Sequence, residues 1–128
     1  MDRAKIIDTL ELTPGGGLAI TDMQMVQWGR EIIFDIHYLI VPLERTPEPP
    51  VMLRLIFRDC REIKYKVYAH IGAHEMGMVT PTADVVELRL GQGNHRKDAH
   101  ILTNHFSIAI SYGEALVERD NRRYALPV

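Results

Sequence analysis

The sequence predicts a mainly β fold: an antiparallel sandwich, or a bent and partly open barrel, of about six to eight strands, with room for one short N-terminal helix. Three observations carry that expectation. Segments at 31–41, 51–58, 62–68, 85–90 and 101–112 alternate side chains or are rich in β-branched and aromatic residues, as a pleated surface requires. Most connections between them are short and hold Gly, Pro or Asp, the residues of turns. No strand is followed by a long helical pattern, so a parallel βαβ sheet is not expected. With 128 residues, the chain is expected to form a single domain, 1–128, around one core.

Each element has its own reason. Ala4 to Leu12 is ambiguous, because Ile6, Ile7 and Leu10 suit a helical stripe while Ile6, Leu10 and Leu12 also suit alternation. Pro14 and Gly15–Gly17 end it. Leu18 to Trp28 reads either as a short helix capped by Thr21 or Asp22 or as an extended stretch. From Glu31 to Val41 the pattern clears: Ile32, Phe34, Ile36, Tyr38 and Ile40 face one way, against Ile33, Asp35, His37, Leu39 and Val41. Apolar residues on both sides mark a central strand or one pressed against a second subunit. The proline-rich stretch 46–50 is a connection outside the sheet.

Val51 to Arg58 sets Leu53, Leu55 and Phe57 against Arg54, Ile56 and Arg58, and Glu62 to Tyr68 sets Ile63, Tyr65 and Val67 against Lys64, Lys66 and Tyr68. Asp59-Cys60-Arg61 between them has the length of a hairpin connection. Gly72 to Pro81 reads as a long loop, Val85 to Leu90 as a strand and Gly91 to Asp98 as a polar turn. Ile101 to Tyr112 is expected as one long strand, with Gly113 starting a tight return into Glu114 to Arg119.

Charge and cysteine content exclude several classes. Fifteen basic and seventeen acidic residues leave a net charge of -2, so nucleic acid is disfavoured as a partner. No apolar run approaches the ~20 residues of a spanning helix, so no membrane association is expected. The charged N-terminus does not resemble a signal peptide, and Cys60 is alone; a cytoplasmic setting without disulfides is expected.

Few residues suggest chemistry. Five of the six histidines lie between positions 70 and 105, namely His70, His74, His95, His100 and His105, and imidazole is a common metal ligand. No ligand spacing is met, so no metal and no cofactor is expected; a metal-dependent or anion-handling enzyme built on segment 70–105 is the alternative. Gly91, Gly93, Asn94, His95, Arg96 and Lys97 could cradle an anion with backbone N–H groups and two cations, although a solvated turn accounts for the same residues. Cys60 beside Arg58 and Arg61 could have a lowered pKa, but no base is near it in sequence. Were the strands at 51–58 and 62–68 to pair, Arg54, Arg58, Lys64 and Lys66 would share a face with Tyr68, as in single-strand nucleic-acid binders.

No catalytic spacing is recognised, and apolar excess is the remaining clue. Ile33, Leu39 and Val41 are candidate interface residues, with Ile56 set among arginines, and packing of this surplus under the N-terminal segment of the same chain is the equal alternative. The leading expectation is a non-enzymatic β domain that associates with a protein partner or with itself as a homodimer.

Overall fold

In the computed structural model the described residues are 2–40, 49–68, 82–92 and 96–127. Among them one helix, α1 (Arg3–Thr9), precedes nine strands: β1 (Gly17–Val26), β2 (Glu31–Leu39), β3 (Val51–Arg58), β4 (Glu62–Val67), β5 (Ala83–Arg89), β6 (Lys97–Thr103), β7 (Phe106–Tyr112), β8 (Glu114–Arg119) and β9 (Arg122–Ala125). The strands form one antiparallel sheet in the order β4-β7-β6-β5-β1-β2-β3-β8-β9. The mainly β expectation holds, and the ambiguous N-terminal segment is the short helix.

Alternation sets which face is buried. Ile32, Phe34, Ile36 and Tyr38 of β2 join Leu53, Leu55 and Phe57 of β3 and Ile108, Ile110 and Tyr112 of β7 in one core. Phe57 links the two parts of the sheet, meeting Phe34 edge-on at 6.1 Å and Tyr112 at 4.9 Å between ring centroids. Such contacts add to the burial of each ring. α1 plugs this core with Ile6, which is wholly buried. Its entry is fixed by Asp2, whose N–H donates to the Leu88 carbonyl and whose carboxylate accepts from the Leu90 N–H at 2.7 Å.

The sheet bends because two segments run through it without a hairpin. β3 pairs with β2 and β8, whereas β4 pairs with β7. Asp59-Cys60-Arg61 is therefore a corner and not the expected hairpin: both edges of β3 are already occupied, and Asp59 takes a left-handed φ of 53°. Gly113 likewise carries the chain from β7 into β8 around the same corner and makes no tight return, since β7 lies between β4 and β6 while β8 lies between β3 and β9. Its N–H donates to the Arg58 carbonyl at 3.0 Å.

Two other expectations are corrected, and one open reading is resolved. The span 101–112 is two strands joined at Asn104-His105. The Thr103 hydroxyl donates to the Phe106 carbonyl and accepts from the His105 and Phe106 N–H groups, so a buried threonine makes the turn without glycine or proline. The supposed turn 91–98 ends inside a strand, because Lys97 and Asp98 pair with Tyr112 and Ser111. Leu18 to Trp28 resolves as strand through Val26, with a bulge between Ile20 and Asp22. The loop reading at 72–81 falls outside the described residues.

On the outer face, cross-strand register builds rows. Asp35, Arg54, Glu118 and Arg123 lie side by side. Arg54 reaches Asp35 at 2.8 Å and Glu118 at 4.0 Å, and Arg123 reaches Glu118 at 2.7 Å. The adjoining row is apolar: Ile33, Ile56 and Leu116. Ile56 is 0% exposed and Leu116 is buried, so much of the apolar excess noted in the sequence is hidden within one chain. No helix among the described residues is long and apolar enough to cross a membrane.

Candidate functional site

The sheet ends in two edges of different character. β9 is four residues long and carries Arg122 and Arg123, the short charged form that discourages further pairing. β4 is the other edge, and among the described residues it pairs with β7 alone. Its side chains alternate sharply. Lys64 and Lys66 point to the outer face, whereas Ile63, Tyr65 and Val67 point to the core side. Of that inner set Ile63 is partly buried against the core, whereas Tyr65 remains 46% exposed and Val67 65%. The Tyr65 ring leans on Phe106 at 5.4 Å, which holds it in place while leaving it accessible.

The outer side of this edge is a shallow trough of about 400 Å³. Register places Lys64 beside Ala109, Ala109 beside His100, and His100 beside Arg89; Lys66 lies beside Ser107, which faces Leu102. Small side chains at Ala109 and Ser107 make the floor, and longer cationic side chains make the walls. Lys64 has Glu62 at 3.6 Å and Arg89 has Glu87 at 2.5 Å. Pairs this exposed are screened and hold their partners weakly, so the cations remain available to an incoming acid.

The residues singled out from sequence are dispersed. Arg96 is an internal clasp: its guanidinium donates to the Ser111 hydroxyl, the Ser111 carbonyl, the Asp59 carboxylate and the Asp59 carbonyl at 2.6–3.2 Å. It ties the two bent segments together at the corner. Lys97 donates to the Gly113 carbonyl at 3.2 Å and lies near the Tyr112 ring. Gly91 has φ 72°, and a Cβ there would come within 2.5 Å of the Asp98 carbonyl oxygen, a backbone demand that needs no ligand. Gly93, Asn94 and His95 lie outside the described residues. Both described cations of the anticipated anion loop therefore already have protein acceptors.

The corner also separates the basic set: Arg54 and Arg58 belong to β3, and Lys64 and Lys66 to β4. Arg54 is committed to Asp35. Ile33 is half-buried and Leu39 41% exposed, on one face of β2 but with Asp35 and His37 between them; Val41 lies outside the described residues. Among the histidines, His70, His74 and His95 are outside them too, His100 sits in the trough and His105 in the β6–β7 turn. No metal-binding group of His, Cys, Asp and Glu occurs among the described residues. Cys60 is buried, and burial pushes its thiol up to about 11; Arg96 opposes the shift and Asp59 adds to it. The expected lowering by Arg58 and Arg61 does not occur, because burial outweighs nearby charge.

Sequence reasoning missed two features. Arg89 and His100 join Lys64 only through register across four strands, which no local pattern reveals. Trp28, the end of the ambiguous segment 18–28 in the sequence, stands at the tip of the β1–β2 hairpin, as exposed as in an unfolded chain. No protein-family model matches this chain, and no curated protein matches it.

Proposed function

We propose that this chain is a non-catalytic association domain that takes an extended segment of a partner protein onto the open edge of β4. The observation that supports this reading is the two-sided character of that edge: lysines on one face, uncovered Tyr65 and Val67 on the other. A strand added there would complete the sheet with main-chain hydrogen bonds and select its side chains by period-two alternation. The segment it suits carries acidic residues facing Lys64 and Lys66 and apolar residues facing Tyr65 and Val67. A second copy of the chain fits this edge less well. With faces matched, antiparallel pairing of β4 to itself about Lys64 or Tyr65 sets lysine against lysine, and like charges directly opposite repel.

Fluorescence anisotropy with labelled peptides tests the reading. A peptide alternating Glu and Val should bind in the micromolar range, weaken with salt, and lose at least about tenfold in affinity, ~1.4 kcal/mol, when Lys64 and Lys66 are both changed to Glu. A peptide alternating Lys and Val should show the reverse preference. Equal binding of both peptides, or binding of neither at about 1 mM, would overturn the proposal. Dimers of the free chain in sedimentation that survive the double Glu variant would replace the acidic partner with a self-association surface elsewhere.

A further inference from the structure

A cleft of about 500 Å³ lies between the β1–β2 hairpin tip and the β3–β4 corner, lined by Trp28, Gly29, Arg30, Asp59, Cys60 and Arg61, with Ile63 beside them. Its size is within the range of small-molecule sites. The backbone around it takes unfavourable conformations in two places. Gln27, Trp28 and Asp59 all take left-handed φ values of 54°, 64° and 53°, half of the non-glycine residues that do so among the described ones. Aspartate tolerates that region, but a bulky aromatic residue rarely adopts it. Such strain persists where surrounding structure enforces it, and it gathers at ligand sites. Here the enforcing contacts are visible: the Arg30 carbonyl accepts from the Cys60 N–H at 2.9 Å, and Gly29 seats against Ile63. The strain holds an indole in open water at the rim of the cleft.

Charge at the rim is also unassigned. The Arg30 guanidinium makes no hydrogen bond or ion pair among the described residues, and that of Arg61 has only the exposed Asp59 carboxylate at 3.8 Å. That carboxylate is already engaged by Arg96 at 3.1 Å. Two guanidinium groups, one without a side-chain partner and one only loosely paired, thus line the same cleft as a ring open to stacking, and a guanidinium forks onto an anion.

We infer that this cleft binds a nucleoside monophosphate, its base stacked on Trp28 and its phosphate held by Arg30 and Arg61. The cleft adjoins the start of β4 through Ile63, but its recognition rests on Trp28, Arg30 and Arg61 and does not require a strand added to that edge. Since the chain contains a single tryptophan, intrinsic fluorescence reports on Trp28 alone. Titration with AMP and with GMP should quench it saturably, with a dissociation constant at or below about 1 mM. Adenosine and inorganic phosphate, which each carry half of the recognised chemistry, should bind at least about tenfold more weakly. Arg30→Gln and Arg61→Gln are exposed changes that leave the fold intact by circular dichroism, and each should weaken AMP by about tenfold. No saturable quenching by either nucleotide would overturn the inference. So would adenosine or phosphate binding as well as AMP, or nucleotide binding unaffected by both arginine variants; in each case the paired recognition of ring and charge is absent.

Discussion

Cys60 and Tyr112 are held neutral by burial, and this makes the alkaline limb of the stability curve specific. The thiol rises from 9.0 to about 11 and the phenol from 10.0 to about 12. For Tyr112, burial is the first cause, with Asp2 and Asp98 adding to it. A raised folded-state pKa means that the native chain keeps a proton the unfolded chain has released. The contribution is thus complete below pH 9 and is lost as pH climbs through 9 to about 12. Urea midpoints should fall above pH 9, and in Cys60→Ala the onset of that fall should move up to about pH 10, where Tyr112 alone begins to contribute. Alkylation of native Cys60 should keep accelerating toward pH 11 and should not level off near 9, since the thiolate is the nucleophile. Trp28 is the opposite kind of residue, exposed and conformationally unfavourable. Trp28→Asn should raise stability by about 0.5–1 kcal/mol by urea denaturation, because asparagine accepts the left-handed region more readily. A loss of stability would show that the indole has a structural partner.

At the level of elements, the corner is where a change in one side chain should matter most. The Arg96 guanidinium serves four acceptors on two segments, and lysine cannot reproduce that planar fork. Arg96→Lys should cost about 2 kcal/mol in urea denaturation, most of it from carbonyl and hydroxyl acceptors left without a donor. Gly91→Ala should cost about as much or more, since the added methyl group meets the Asp98 backbone in a left-handed conformation. Strands such as β2 and β3 were legible in the sequence because their β-branched and aromatic residues alternate against polar ones. The corner was not. Asp59-Cys60-Arg61 has hairpin length, and what forbids the hairpin is the occupation of both edges of β3 by distant strands. The β6–β7 turn was hidden for another reason: Thr103 makes it with a side-chain hydroxyl, so no glycine or proline marks it.

Across the whole molecule, one curved sheet leaves its faces unequal. Alternation foretold the core face almost residue by residue, from Ile32 through Tyr38 and from Leu53 through Phe57. The outer face was less legible, because its character depends on register. Ile56 looked like surplus surface in the sequence, yet with Ile33 and Leu116 it forms a buried row beside a ladder of ion pairs. Ile56→Ala should therefore cost about 2–4 kcal/mol by urea denaturation, as for a core residue, and it should leave peptide binding at β4 unchanged. The trough was equally invisible, since Lys64, His100 and Arg89 come from strands that are neighbours only in the folded sheet.

The association reading rests on β4 having a free edge, and amide hydrogen exchange followed by NMR reads that edge directly. In the free protein, the amides of Glu62–Val67 that do not donate to β7 should exchange rapidly. Adding the alternating Glu-Val peptide should protect those amides while leaving β9 unchanged. Protection of them before any peptide is added, or protection that appears only elsewhere on the sheet, would contradict the account.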